Sequence, residues 1–189
     1  MNAPRRRADA EENRARIIEA ARAAVAGSEE FKLNAIAKQA GVGQGTLYRH
    51  FPTREDLLAE VYRQDVEELV AAAPRLLAEH APLEALRRWF DRVAGYAQVK
   101  QGVFAAVEVG VWQDLTARSL GPIGDAVTTL LDAGKADGTV RADVDARDVI
   151  LLLSCLSRLD AWDWEPRARH LLDIILNGLR AVPAESRPV

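Results

Sequence analysis

The sequence predicts an all-α protein, with an N-terminal helix-turn-helix segment ahead of a larger helical domain. Three observations carry this. Apolar residues recur at three- and four-residue spacing along most of the chain. Alternating β-branched runs and Gly-rich hairpin turns are nearly lacking. Ala, Leu, Arg and Glu, all good helix formers, dominate the composition. With 189 residues, 49% hydrophobic and 28% charged, the chain falls near the globular average, which argues against widespread disorder.

The first helix spans residues 9–26. Ile17, Ala20, Ala21, Ala24 and Val25 form its apolar stripe. Asp9, Glu11 and Glu12 sit in its first turn, where the helix dipole favours acids, and Gly27 with Ser28 ends it. Two short helices follow at 33–40 and 44–50, the first stopped by Gly41. Thr53 is a good N-cap for a fourth helix, with Asp56 at its third position. That helix carries Leu57, Leu58, Val61 and Tyr62 and runs to about Ala73, because Pro74 kinks or ends it.

Beyond Pro82 the helices lengthen. Residues 83–99 set Leu86, Trp89, Phe90, Val93 and Ala97 on one face. A short, mostly apolar helix covers 103–112, and another covers 123–136. Residues 138–144 make a turn, and Asp145 caps a helix running through Val149, Leu152, Leu153, Leu156 and Leu159. Glu165 and Pro166 open the last helix, proline being at home in a first turn. It carries Leu171, Leu172, Ile175 and Leu179, and Pro183 closes it. The tails, 1–8 and 183–189, read as loose.

Residues 35–51, AIAKQAGVGQGTLYRHF, are the most informative stretch. Two short helices joined by a tight turn at Gly41 and Gly43 make a helix-turn-helix. Ile36, Ala37, Ala40, Val42 and Leu47 pack them together, and the two alanines are small enough for a close crossing. The second helix keeps Gln44, Thr46, Tyr48, Arg49 and His50 polar or amphipathic, a form that fits a DNA major groove. Gln44 can bond a base edge. Tyr48, His50 and Arg54 can reach phosphates, which position a protein without reading sequence.

These residues resemble the DNA-binding domain of the TetR family of transcriptional regulators. The likeness covers about residues 13–62 and rests on Ile36, Ala37, Ala40, Gly41, Val42, Gly45, Thr46, Leu47, Tyr48, His50 and Phe51, followed by Arg54, Leu57 and Leu58. The later turn DGTVRADVD adds to it. The resemblance implies a homodimer on a palindromic double-stranded DNA operator, usually as a repressor, released when a small molecule binds the C-terminal domain. It implies that Gln44, Gly45 and Thr46 face bases, that Tyr48, His50 and Arg54 hold phosphates, and that Arg49 belongs to the same surface. Lys32 stands where the family usually has a capping Ser or Thr. Lysine cannot cap a helix N-terminus, but it can still supply the phosphate contact. Gly43, where the family often has Ser, is a weaker cap.

On this reading residues 9–62 form the DNA-binding domain and 63–182 the ligand-binding and dimerisation domain. A site for a largely apolar effector needs an apolar cavity with a few polar groups. Trp89, Tyr96, Phe104, Glu108 and Trp112 are its candidates, while Phe90 and Trp162 are further aromatics of the second domain. Aromatics at helical spacing more often read as plain core, and Glu108 reads more readily as a carboxylate paired with Arg or exposed than as a ligand contact. The last two helices are apolar over a wide arc, with Ile174, Ile175 and Leu176 consecutive, which suggests a partner. Leu152, Leu156, Leu172, Ile175 and Leu179 are the expected dimer contacts, in a twofold four-helix bundle.

Other classes fare worse. The single cysteine, Cys155, excludes an internal disulfide, reads as a small core residue, and fits a reducing compartment. No nucleophile–base signature, phosphate loop or metal-ligand cluster appears, so neither an enzyme nor a cofactor or metal is expected. No apolar run approaches the roughly 20 residues of a membrane span, so the expected location is the cytoplasm. Residues 1–63 carry 11 Lys or Arg against 9 Asp or Glu, and residues 64–189 carry 14 against 19. Arg5 to Arg7 read either as a minor-groove arm or as a solvated tail. The alternative function is a helical small-molecule carrier or adaptor that has lost operator binding.

Overall fold

The computed structural model describes residues 3–26, 31–160 and 164–181, and the side chains of all of these except 3–7. The helix ending at Gly27 and Ser28, the side chains of Arg5 to Arg7, Trp162 and Pro183 lie outside the described residues. Eight α-helices are described: α1 (Ala3–Ala26), α2 (Leu33–Gln39), α3 (Gln44–His50), α4 (Arg54–Glu79), α5 (Pro82–Ala106), α6 (Val109–Ala136), α7 (Ala146–Leu153) and α8 (Trp164–Leu179). A short 3₁₀ helix, Ser154–Arg158, continues α7. The described residues hold no strand beyond one antiparallel bridge between Val140 and Arg180. No described helix is long and apolar enough to cross a membrane.

Local chemistry explains most boundaries. Asp145 and Asp148 cap α7 reciprocally, each carboxylate accepting from the other residue's backbone N–H, at 2.9 and 3.0 Å. At the start of α4 the Asp56 carboxylate accepts from the Thr53 N–H and the Thr53 hydroxyl oxygen accepts from the Asp56 N–H, both at 3.1 Å. The Ser154 and Ser157 hydroxyls donate to carbonyls three residues back, at 2.6 and 2.7 Å. Such bonds compete with the α-helical ladder, and the helix predicted through Leu159 tightens into 3₁₀ geometry after Leu153.

Several expectations need correction. Helix α1 begins at Ala3, six residues early, so Asp9, Glu11 and Glu12 lie past its first turn. Pro74 does not end α4, which runs on to Glu79. Proline removes one N–H and crowds the carbonyl before it, but Pro74 is on the exposed face, and the Arg75 Nε–H donates to the Ala71 carbonyl at 3.0 Å. Pro122 is likewise inside α6. The separate helix expected at 103–112 does not exist. Helix α5 continues to Ala106, and α6 starts after Glu108, whose carbonyl accepts the Trp112 N–H at 3.0 Å. The helix expected at 123–136 is the second half of α6.

The chain divides into two compact units. One comprises residues 1–65 with 98–116, the other residues 66–97 with 117–189. The core of the first is built from Ile17, Ile18 and Ala21 of α1, Ile36 and Ala37 of α2, Leu47 of α3, and Leu57, Leu58 and Tyr62 of α4. The second is built around Trp89, Phe90 and Leu86 of α5 with Leu130 and Leu131 of α6. There the Trp89 Nε1–H donates to the Leu69 carbonyl at 3.0 Å, so the ring brings no unsatisfied donor into the core.

Candidate nucleic-acid interface

The α2–α3 turn is fixed by one glycine. Gly41 has φ +66°, a left-handed conformation that costs other residues energy. Its N–H bonds the Lys38 carbonyl at 3.1 Å, and the Val42 N–H bonds the Ala37 carbonyl at 3.0 Å. This paired closure of a helix C-terminus is a Schellman motif, and it turns the chain sharply into α3. Gly43 is the N-cap of α3 and Lys32 that of α2, and neither makes a side-chain cap bond. The capping lost by having Lys32 in place of Ser or Thr is therefore real.

Three elements hold α3 in place. Leu47 and Phe51 are buried at its inner face and C-terminus. The Arg14 guanidinium of α1 lies over the Phe51 ring, 5.3 Å from its centroid, and pairs with Glu60 of α4 at 2.7 Å. One arginine thus ties α1 and α4 to the end of α3. Glu60 also accepts from Arg63. Burial pushes its carboxyl up, but hydrogen bonds and charge from Arg63 and Arg14 outweigh this and hold it below its ordinary value. A second pair, Arg22 with Asp65 at 2.7 Å, joins α1 to α4, with the carboxylate buried.

The outward face of α3 carries the residues the sequence singled out. Gln44, Gly45 and Arg49 are exposed, Tyr48 is 47% exposed, and Thr46 and His50 are half-buried. Arg49 folds back along its own helix, donating from Nε to the Gly45 carbonyl at 3.1 Å and from Nη2 to Thr46 Oγ1 at 2.9 Å. It therefore orients Thr46, whose own proton stays available to a second acceptor. Arg54, at the first position of α4, stacks over the Phe31 ring at 5.2 Å, which sets the plane of its guanidinium. Lys32 is exposed at the start of α2. One signal strengthens this surface and was readable in the sequence: residues 31–54 hold Lys32, Lys38, Arg49 and Arg54 and no Asp or Glu.

The residues expected to line the effector site separate. Trp89 is core, fully buried. Tyr96 is half-buried in the same unit as Trp89. Glu108 is exposed, because it ends the turn between α5 and α6 and does not lie inside an apolar helix. Phe104 and Trp112 do meet, with ring centroids 5.3 Å apart, and Tyr62 meets the Trp112 ring at 5.5 Å. Both contacts are edge-on, the favourable aromatic arrangement. The Lys100 ammonium lies 5.8 Å from the Trp112 centroid. Sequence reasoning passed over Lys100, although it is the one charged residue between Arg92 and Glu108.

The expected dimer contacts also separate. Leu156, Leu172, Ile175 and Leu179 are buried within the chain's own fold. Leu152 is 48% exposed, and Leu151 and Ile174, at 61% and 54%, join it as exposed apolar side chains of α7 and α8. The half-buried Cys155 follows them in the 3₁₀ helix.

Residues 17–61 match the tetR family of bacterial regulatory proteins, and residues 81–181 match the C-terminal domain of SbtR-like transcriptional regulators. A TetR transcriptional regulator of Streptomyces coelicolor is 36% identical, with a TM-score of 0.75, over 89% of this chain and 99% of that one. A TetR regulator of Mycobacterium vanbaalenii is 35% identical, with a TM-score of 0.74, over 93% and 99%. An HTH-type transcriptional regulator of Staphylococcus aureus is 32% identical over 107 residues, 55% of this chain. The chain spans 58% of the length of that curated relative. With both halves matched and a helix-turn-helix whose outer face is free of carboxylates, the chain belongs to the TetR family of DNA-binding transcriptional regulators.

Proposed function

We propose that the protein is a repressor that binds a palindromic operator as a homodimer and leaves it when a small molecule binds. The observation that carries this is the outer face of α3. Gln44, Gly45 and Tyr48 are exposed on it, Thr46 is oriented by Arg49, and no carboxylate occurs from 31 to 54. On this reading Gln44, Gly45 and Thr46 face base edges, while Lys32, Tyr48, His50 and Arg54 hold phosphates. On this reading residues 9–62 supply the reading head, and residues 63–182 supply effector binding and dimerisation. The dimer face is Leu151, Leu152 and Ile174, because a side chain already buried within its own subunit has little apolar area left to give a partner.

Selection of bound fragments from genomic DNA at near-physiological salt tests the reading. The expected product is a palindrome whose half-sites are about one helical turn apart or slightly more. On that site, Tyr48→Ala and Arg54→Ala each weaken binding to all sequences and lower the salt slope by about one. Gln44→Ala changes the preferred bases, at about 1–3 kcal/mol per lost base contact. A folded, dimeric protein that selects no site refutes the regulator reading, and salt slopes unchanged in both variants refute the phosphate roles.

A further inference from the structure

We propose that Lys100, Phe104 and Trp112 recognise an anionic ligand with a flat apolar body, a carboxylate or sulfonate on a ring system. The proposal deepens the ligand-release reading above and rests on it. Phe104 is 56% exposed and Trp112, held edge-on to it, is half-buried, so the pair leaves apolar ring area, chiefly that of Phe104, uncovered by the fold. The buried Tyr62 braces Trp112 from α4. Lys100 stands beside them, half-buried, with its ammonium toward the Trp112 ring. Among the described residues no carboxylate pairs with it. Burial alone pushes its ammonium down from the ordinary lysine value, the mark of a cation whose lost hydration is not replaced. A ligand anion would replace it, and the rings would take the apolar body. The cation–π contact holds the lysine in place meanwhile.

The position of Lys100 gives such a ligand a route to α1. Residues 98 and 102 lie on one side of α5, and residues 100 and 104 lie on nearly the opposite side. Gln98 Nε2 donates to the Ala26 carbonyl at the end of α1, at 3.1 Å, and Gly102 lies against Val25. The same two turns of helix therefore carry the proposed ligand contacts and the seal on α1. A ligand that prefers one setting of these turns biases α1 by that preference and no further.

Calorimetric titration of the full chain with 2-naphthoate and with 2-naphthamide, which has the same shape without the charge, tests this. Naphthoate is expected to bind and to quench tryptophan fluorescence by an amount that is lost in Trp112→Leu, with naphthamide weaker by roughly ten- to a hundredfold, the worth of one charge-assisted hydrogen bond. Lys100→Gln should erase that preference, Lys100→Arg should keep it, and Trp112→Leu should weaken both probes. Helicity measured by circular dichroism shows that each variant is folded, and the comparison of probes on the unaltered chain needs no variant. Equal binding of the two probes, no binding of naphthoate, or a preference that survives in a folded Lys100→Gln protein overturns the proposal. DNA selection is scored separately. A protein that selects its palindrome but ignores naphthoate loses the ligand class alone. One that binds naphthoate through Lys100 but selects no DNA loses the regulator reading alone.

Discussion

Two glycines on α5 should answer the same substitution differently. A Cβ on Gly102 would lie 2.4 Å from the Val25 carbonyl oxygen and 2.5 Å from Val25 Cγ1, whereas a Cβ on Gly95 meets nothing within 4 Å. Ordinary contact would require the end of α1 and this part of α5 to separate by about 1 Å. The obstacle is backbone, so no side-chain rotation relieves it, and separation also stretches the Gln98–Ala26 bond. Glycine to alanine in a helix interior gains about 1 kcal/mol in either case. That gain cancels between the two variants. What remains for Gly102→Ala is the overpacking term, about 1–3 kcal/mol. Urea melts followed at the helical circular dichroism band should therefore show Gly95→Ala more stable than the parent. Gly102→Ala should fall below Gly95→Ala by that margin, about 2–12 °C on a thermal scale. Equal stabilisation of both variants would mean that α5 does not approach α1 as closely as 2.4 Å implies, and the link between Lys100 and α1 would lose its mechanical basis.

Two further outcomes follow from the geometry. Ile174→Asp should give a folded monomer by light scattering, because the side chain is exposed on α8, whereas Ile175→Asp should lose helicity, because it buries a charge in the core; a dimeric Ile174→Asp protein would move the interface elsewhere. The Glu60 carboxyl is held below its ordinary value of 4.5 in the fold, so the unfolded chain takes up the proton more readily. Its contribution to stability is complete above that value and is lost as the pH falls through the lower folded value. Glu60→Gln should flatten that part of the acid limb in pH-dependent melts, and an unchanged limb would show that Arg14 and Arg63 do not hold the charge.

The reading head was legible because its signals are local. Gly41 announces the turn by chemistry confined to its own backbone, and Thr53 with Asp56 announces the start of α4 within four residues. The periodicity of Ile17 through Val25 fixes a buried face without reference to any other helix. Helix ends beyond residue 63 were harder. A proline normally reads as a stop, yet Pro74 and Pro122 sit on exposed faces, where the lost N–H and the crowded carbonyl are easily accommodated. The break at 107–108 reads as continuous helix, since AAVEVGVW contains no proline, Ser, Thr, Asp or Asn, and its one glycine, Gly110, lies two residues past the break.

What the sequence concealed is what each apolar side chain faces. Ile174, Ile175 and Leu176 are consecutive, and composition cannot say which of them turns outward. A helix of period 3.6 places neighbours about 100° apart, so burying Ile175 and Leu176 in the subunit forces Ile174 out. The same reasoning separates Trp89, committed to a core hydrogen bond with Leu69, from Phe104, left half open. Aromatic identity marks neither as a ligand contact. The distinction comes from the neighbours: a ring enclosed by its own subunit is packing, whereas Phe104 is left uncovered near the half-buried Lys100, and that difference is what the ligand proposal rests on. Lys100 was the clue available earlier. A single ammonium in fifteen otherwise uncharged residues, 93–107, has little reason to be there for solubility, since isolated charges on apolar helix faces cost desolvation.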